Sequence, residues 1–297
     1  MSRCVERKSV LRMFAAASGI IAGLVAASVP AVRAQTGENS IPNFASIDFG
    51  WQTNEEDWEP VPGSLNHGPI RNDPAYPFTN NANGNRTHTQ VTVRVTNTKD
   101  PILKPWAAAE IQKSNEEILR GEHPIPFTAQ SRCWPGGTPA QSLYPFEPVY
   151  FVQTPKEVWM IWQRDHVVRR VYLTDKHSAN VKPSWFGESI GHYENGDTLV
   201  VDTIGVAGGH NRFIDNFRTP HTDKMRVVER FTIHPDGKGM TGIATVDDPD
   251  TFNGPITMRK EWFKVDFPIL ETVCPENNED FFNQNLFPIP EAGKPDF

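Results

Sequence analysis

The acidic side chains best placed to do chemistry lie on two strand-like segments in the second half of the chain. Asp202 alternates with Val200 and Ile204, so its carboxylate is expected on a buried face. Glu229 has the same kind of position on a later segment, on a face that is otherwise apolar. A carboxylate held in an apolar pocket can act as a general acid or base. We therefore predict that Asp202 and Glu229 point into one interior.

An arginine on an earlier segment is expected to face the same interior. Arg169 and Arg170 are adjacent, so whichever face of their strand is inside carries one guanidinium. Two interpretations of such a group remain open. The arginine and a carboxylate form a structural pair that only balances buried charge, or the carboxylates form a catalytic pair whose protonation the arginine controls.

Two histidines are placed to carry protons near this interior. His192 lies beside the Asp202 segment, and His221 leads into the Glu229 segment. The alternative for both is a rim histidine that only makes hydrogen bonds. With His210 they would form the most plausible metal site, but no local spacing of the histidines predicts one. We predict no metal and no cofactor.

Five aromatic residues are predicted to line a pocket for a small apolar or aromatic compound. These are Trp159, Trp162, Tyr172, Trp185 and Phe231. Ordinary core packing is the alternative for each of them. The sequence contains no G-x-x-x-x-G-K-[ST] phosphate loop, H-E-x-x-H or paired C-x-x-C motif. P-loop nucleotide-driven and zinc-protease functions therefore have no motif support.

The elements that must position these residues are strands. Eight short segments rich in β-branched and aromatic residues span 149–153, 157–163, 167–173, 186–193, 198–204, 226–234, 240–247 and 256–265. Tight turns at Asn195-Gly196 and Asp236-Gly237 favour hairpins between neighbouring strands. The pattern predicts a mainly β fold, which could be a closed or nearly closed barrel or a sandwich. Short successive hairpins favour a single antiparallel up-and-down β-barrel in residues 149–297.

The preceding part of the chain is predicted to hold one helix and an extended arm. The helix spans Pro105 to Arg120, with a proline in its first turn and a broad apolar stripe. It is expected to cover one side or end of the sheet. Residues 35–104 are predicted to form an extended N-terminal arm, and 105–148 the helix and a connector. We expect 35–297 to be one folding unit.

Residues 1–34 have the pattern of a secretory signal peptide. Basic residues precede an apolar run from Met13 to Val29, and cleavage is expected after Ala34. The remaining chain would keep 24 of the 29 basic and 35 of the 36 acidic side chains, a net charge of −11. That charge disfavours nucleic acid and anionic membrane surfaces as partners. We predict a periplasmic or secreted protein; the oligomeric state is not indicated.

Cys133 and Cys274 are the cysteines that follow the predicted leader. In an oxidising compartment, two cysteines far apart in sequence are best explained as one disulfide. A thiolate metal site or a nucleophilic cysteine is the alternative. Both alternatives lack a second cysteine or a histidine at ligand spacing.

Several longer motifs resemble a large family of secreted bacterial proteins. They are P-I-L-K-P-W-A-A-A (101–109), R-C-W-P-G-G (132–137), Y-F-V-Q-T-P-K-E-V-W-M-I-W-Q (150–163), V-R-R-V-Y-L (168–173), P-S-W-F-G-E-S-I-G-H-Y-E-N-G-D-T-L-V-V-D-T-I-G (183–205), T-P-H-T (219–222) and R-V-V-E-R-F (226–231). This resemblance implies no catalytic residues. The barrel portion is also similar in rhythm to lipocalin-like proteins, some of which bind apolar ligands and some of which catalyse hydration, isomerisation or decarboxylation.

Two functional hypotheses follow. The first is an enzyme that performs cofactor-independent acid–base chemistry, as a lyase, isomerase or hydrolase, on a small apolar or aromatic compound. The second is a non-catalytic periplasmic binding protein for the same kind of ligand. An enzyme needs at least two inward ionisable groups in different protonation states, whereas a carrier needs few. The position of the ionisable side chains therefore decides between the two.

Overall fold

The structure is a computed structural model that describes residues 41–45, 49–55, 57–76, 94–120, 134–143, 147–209, 211–266 and 268–271. The chain divides into two compact units, Met1–Thr36 and Gly37–Phe297, and every described residue belongs to the second. The predicted signal peptide, Cys133, Cys274 and His210 lie outside the described residues. The leader and the disulfide therefore remain predictions.

The described residues form a mainly β structure with one α-helix. The strands are β1 (Gly50–Gln52), β2 (Glu59–Pro60), β3 (Val149–Gln153), β4 (Glu157–Trp162), β5 (Val168–Tyr172), β6 (Glu188–Glu194), β7 (Thr198–Ile204), β8 (Arg226–Ile233), β9 (Gly239–Asp247) and β10 (Ile256–Val265), and the helix is α1 (Pro105–Arg120). The predicted helix is confirmed, and so are the eight predicted strands from β3 to β10.

One sheet contains all the strands and closes in a ring. Its order is β1-β3-β4-β5-β6-β7-β8-β9-β10, and β1 also pairs with β10, so that nine strands form the ring. The strand β2 pairs with the first part of β10, next to the residues of β10 that pair with β1. The closing strand β1 belongs to the segment predicted as an extended arm, in which only residues 90–95 have a strand-like pattern. The arm therefore supplies one member of the ring.

The predicted up-and-down antiparallel arrangement is wrong at one pair. Strands β5 and β6 run parallel, with Val171 opposite Ser189, and the other neighbours are antiparallel. A ring with an odd number of strands cannot alternate in direction all the way round, so nine strands require at least one parallel pair. Parallel neighbours also need a crossover connection of a dozen or more residues. Residues 173–187, between β5 and β6, provide it.

The helix closes one end of the ring. Ala107 and Ile111 on α1 pack in one buried cluster with Val227 at the start of β8, Val246 near the end of β9 and Ile256 at the start of β10. We call this the helix end. The first half of α1 has the predicted covering role, because Ala107 and Ile111 are buried with inward-facing strand residues, whereas Leu119 near its end is exposed.

The opposite end of the ring, which we call the aromatic end, is filled by aromatic side chains. Phe231 lies 6.3 Å from Phe151 and 6.0 Å from Trp262, measured between ring centroids. Phe44 from the arm packs on Phe151 at 5.4 Å. These rings contact each other in tilted and edge-on arrangements typical of aromatic cores. The aromatic end is therefore a packed core.

Candidate functional site

A layer of polar side chains crosses the interior between the helix end and the aromatic end. Arg169 Nη2 donates to Glu229 Oε2 at 2.5 Å and to Thr203 Oγ1 at 2.7 Å, and its Nε donates to Ser189 Oγ at 3.0 Å. Ser189 and Thr203 are also bonded to each other, at 2.9 Å. Arg169 and Glu229 are each only 1% exposed. We call these four residues the polar layer.

Strand register explains why the four side chains meet. Glu229 is opposite Val201, and Ser189 is opposite Thr203, so all these residues are on the inner face of β6, β7 and β8. Arg169 extends from β5 across two strands to reach Glu229 on β8. It contacts the Ser189 and Thr203 hydroxyls on the way, because they lie on the intervening strands.

Two atoms of the polar layer lack a hydrogen-bond partner. Arg169 Nη1 has no acceptor and Glu229 Oε1 has no donor among the described residues. Leaving a buried polar group unsatisfied costs about 1–3 kcal/mol, and more when the group is charged. The large majority of buried side-chain polar atoms in native proteins have a partner. The layer therefore presents an unused donor and an unused acceptor to the interior.

Further unsatisfied polar atoms lie in a 3₁₀ turn at Ala140–Leu143. Gln141 is fully buried, and neither its amide nitrogen nor its amide oxygen has a partner among the described residues; the same is true of Ser142 Oγ. Leu143 packs in the buried cluster of the helix end. The turn therefore adds buried hydrogen-bonding groups at that end of the ring.

The turn is held against the segment that leads into β6. Thr138 N donates to Trp185 O at 3.2 Å. Gly137 has a φ of +76°, and a Cβ there would lie 2.8 Å from Trp185 O. Only glycine fits such a position without strain. The ring centroids of Trp185 and Trp134 are 5.5 Å apart. The Arg212 guanidinium carbon lies 3.8 Å from the Trp185 ring centroid.

Asp202 does not share the interior with Glu229, so the predicted carboxylate pair is wrong. Asp202 is opposite Val228, whereas Glu229 is opposite Val201, and the two carboxylates therefore lie on opposite faces of the sheet. Arg226 donates to both oxygens of Asp202, at 2.8 and 2.7 Å. Partial burial acts to raise the pKa of Asp202, but the hydrogen bond and charge of Arg226 outweigh it and lower that pKa.

The face was misassigned because both sides of β7 are apolar. Val200 and Ile204 flank Asp202 on the outer face, and Leu199 and Val201 occupy the inner face. Alternation alone cannot tell such faces apart. Thr203 could have indicated the inner face of β7, because its hydroxyl belongs to the polar layer.

Arg170 also lies on the outer face, with two of the predicted pocket aromatics. It pairs with Glu157 at 2.7 Å and lies over the rings of Trp159 and Tyr172, at 5.3 and 5.2 Å from their centroids. Both rings are more than a third exposed. Contrary to expectation, Trp159 and Tyr172 do not face the interior.

The other predicted aromatics divide between core and rim. Trp162 and Phe231 are buried in the cluster of the aromatic end. Trp185 is partly buried in the segment before β6. Trp185 is the predicted pocket aromatic in the segment that contacts the 3₁₀ turn, where Gln141 and Ser142 have unsatisfied side-chain atoms.

The predicted histidine proton carriers are not brought together. His192 is exposed on the outer face and contacts Glu194 at 2.8 Å. His221 is buried, its Nδ1 is 3.2 Å from Thr222 O, and burial lowers its pKa. The described residues contain no group of three or more His, Cys, Asp or Glu side chains that could hold a metal ion.

Comparisons with protein-family models, with curated proteins and with solved structures found no match to this chain. Among the described residues, no helix has the length and apolar character needed to span a membrane.

Proposed function

We propose that this protein binds a small molecule inside the ring, where a polar group of the ligand bonds to Arg169 and Glu229. The observation that carries the proposal is the pair of buried atoms Arg169 Nη1 and Glu229 Oε1, which have opposite hydrogen-bonding character and no partner among the described residues. A ligand group that accepts from Nη1 and donates to Oε1 would satisfy both. Small-molecule sites typically have apolar walls and a few such polar groups.

An acid–base enzyme is less well supported by the geometry. General acid–base chemistry on one substrate needs two ionisable groups at one place. Asp202 lies on the outer face with Arg226, and His192 is exposed on that face with Glu194. Asp202 and His192 are thus separated from Glu229. Binding without catalysis requires only the arrangement that the polar layer has.

Two further features belong to the proposal. We propose that the ring is a lipocalin-like barrel, since barrels of about eight strands can hold one small ligand inside. We also propose a periplasmic or secreted location, supported by the leader-like pattern of residues 1–34. The resemblance to secreted bacterial proteins supports the same location.

The test compares two Arg–Glu pairs that share strand β5. The inner pair is replaced in Arg169→Met/Glu229→Leu, and the outer pair in Arg170→Met/Glu157→Leu. Replacing both partners of a buried ion pair by apolar residues of similar volume is often neutral or stabilising, so the inner double variant is expected to fold. Circular dichroism and thermal melting verify this.

Each protein is then produced in the organism that makes it and studied by native mass spectrometry. Wild type and the outer double variant are expected to retain a bound molecule of the same mass, and the inner double variant to lose it. The proposal fails if wild type carries no molecule, or if the folded inner double variant carries the same molecule in the same amount.

A further inference from the structure

We infer that the polar group of the bound ligand is uncharged and both donates and accepts hydrogen bonds, as a carboxamide does. This inference rests on the proposed function and names the class of ligand for the same site. It excludes carboxylates and ammonium groups at the polar layer. Two independent features of the layer lead to it, namely its charge and the character of its unsatisfied atoms.

The first feature is that the layer is already balanced in charge. The Arg169 and Glu229 side chains are in contact at 2.5 Å, and Ser189 and Thr203 add only hydroxyls. Burying an additional net charge without a counter-ion is far less favourable than burying a neutral group. A carboxylate or ammonium ligand would bring such a charge, whereas a carboxamide would not.

Another buried cation of the ring has a hydrogen-bond partner outside the layer. Lys260 on β10 is fully buried. Its Nζ donates to the backbone carbonyl of Glu55, in the segment that follows β1. The ammonium group is thus held by the arm.

The second feature is that the unsatisfied atoms come in both kinds. Arg169 Nη1 can only donate, and Glu229 Oε1 can accept. At the helix end, Gln141 offers a donor and an acceptor in one amide, and Ser142 Oγ can serve as either. A carboxylate could not donate to Glu229, and an ammonium could not accept from Arg169. A group with both functions leaves neither atom unsatisfied.

The rest of the ligand is expected to be apolar. On the inner face Glu229 lies between Val227 and Phe231, and opposite Ala244 and Val201. All four of these neighbouring side chains are apolar. We therefore expect a carboxamide or similar neutral group attached to an aliphatic or aromatic body.

The experiment is a thermal-shift series with three probes of similar shape, benzamide, benzoate and benzylammonium. Benzamide is expected to raise the Tm of wild type, and its Kd to be at least about tenfold lower than that of either charged probe, since one unmet hydrogen bond corresponds to about that factor. In Glu229→Gln the layer gains a net positive charge. Benzoate is therefore expected to raise the Tm of Glu229→Gln more than benzamide does. The matched outer-face variant Glu157→Gln should behave as wild type.

The outcomes separate this inference from the proposed function. If benzoate or benzylammonium binds wild type as tightly as benzamide, and Arg169→Met/Glu229→Leu loses that binding, the neutral-group inference is wrong and the binding site stands. If the probes act equally on wild type and on Arg169→Met/Glu229→Leu, the binding site itself is wrong. Should Glu229→Gln not fold, ligand-observed NMR of wild type with the three probes gives the same ranking and decides the question.

Discussion

Arg169 and Arg170 are neighbours in the sequence, yet they meet opposite environments, because successive side chains of a strand point to opposite faces. Arg169 is buried with Glu229, whereas Arg170 is about half exposed and paired with Glu157. Chemically similar ion pairs therefore differ mainly in the water around them. Removing one partner of a buried ion pair strongly destabilises the folded protein, whereas an exposed ion pair contributes little to folding stability.

This contrast gives the first prediction. Arg169→Met is expected to lower the free energy of unfolding by about 3–5 kcal/mol, because it leaves the Glu229 carboxylate buried without its partner. Arg170→Met should lower it far less, because an exposed ion pair contributes little to stability. Urea unfolding followed by tryptophan fluorescence measures both. Equal losses in the two variants would show that the burial of Arg169 has no energetic consequence.

Sequence reasoning found two members of the polar layer and missed the rest. Arg169 and Glu229 were predictable, because a charged residue on an alternating strand must either face water or find a partner. Ser189 and Thr203 were missed, since hydroxyl residues are common on both faces of strands. Asp202 was placed wrongly because both faces of β7 are apolar. The deciding information is the pairing of β7 with β8, which only the folded sheet provides.

At the scale of elements, the short strand β1 closes the ring. Three residues close the ring between β3 and β10. Trp51, at the centre of β1, is fully buried and donates from Nε1 to Phe44 O at 3.1 Å. The ring therefore depends on one aromatic side chain of the arm.

Trp51→Ala should lower the free energy of unfolding by about 3–5 kcal/mol, because it removes a large buried side chain and opens a cavity. Trp159→Ala is the matched control, since Trp159 is a strand tryptophan on the outer face. The control should lose less than about 1.5 kcal/mol, mainly its contact with Arg170. Guanidinium unfolding compares them, and a similar loss in both variants would refute the role given to β1.

The helix offers an equivalent test at the other end of the ring. Ile111 is buried in the cluster of the helix end. Ile111→Ala is expected to lower the free energy of unfolding by about 2–5 kcal/mol. Gln112→Ala, on the exposed side of α1, should change it by less than about 0.5 kcal/mol. If thermal melting separates the two variants by less than 1 °C, α1 does not stabilise the ring.

The sequence predicted most elements because their patterns are long enough to show a period. Strands β3 to β10 alternate over five or more residues, and α1 carries an apolar stripe over four turns. Strand β1 is too short to show alternation among its Asn-, Pro- and Gly-rich surroundings. The parallel pairing of β5 with β6 was missed for another reason. The direction of β6 depends on the path of residues 173–187, which has no local signal.

At the scale of the whole molecule, a second set of buried charges joins distant parts of the chain. Arg94 pairs with Asp57 at 3.0 Å, and both belong to the arm. Arg218, between β7 and β8, donates to Arg94 O at 2.8 Å and to Ser114 Oγ on α1 at 2.6 Å. Buried charged and polar side chains thus connect the arm, the helix α1 and the loop between β7 and β8. Such a network makes folding sensitive to the protonation of its members.

Asp215, which lies close to this network, titrates at a pH where unfolding can be measured. Its oxygens accept from Thr219 N at 3.0 Å and from Thr219 Oγ1 at 2.7 Å. Burial raises the pKa of Asp215 from 3.8 to about 6, and the nearby charge of Asp57 adds to the increase. The Arg218 guanidinium is near enough to Asp215 to interact with its charge. The carboxyl of Asp215 therefore holds its proton more tightly in the folded protein than in the unfolded chain.

This difference predicts how stability depends on pH. The stabilising contribution of the Asp215 proton is fully present below pH 3.8 and is lost as pH rises through about 6, because the unfolded chain releases the proton first. A difference of about two pKa units corresponds to about 3 kcal/mol. Urea unfolding from pH 4 to pH 7 should show wild type losing about that amount relative to Asp215→Asn, which cannot titrate. Other groups, such as Asp202 and His221, titrate in both proteins and cancel in the comparison. If the two stability profiles run parallel, Asp215 has the same pKa in the folded and unfolded chain, and its burial does not control the network.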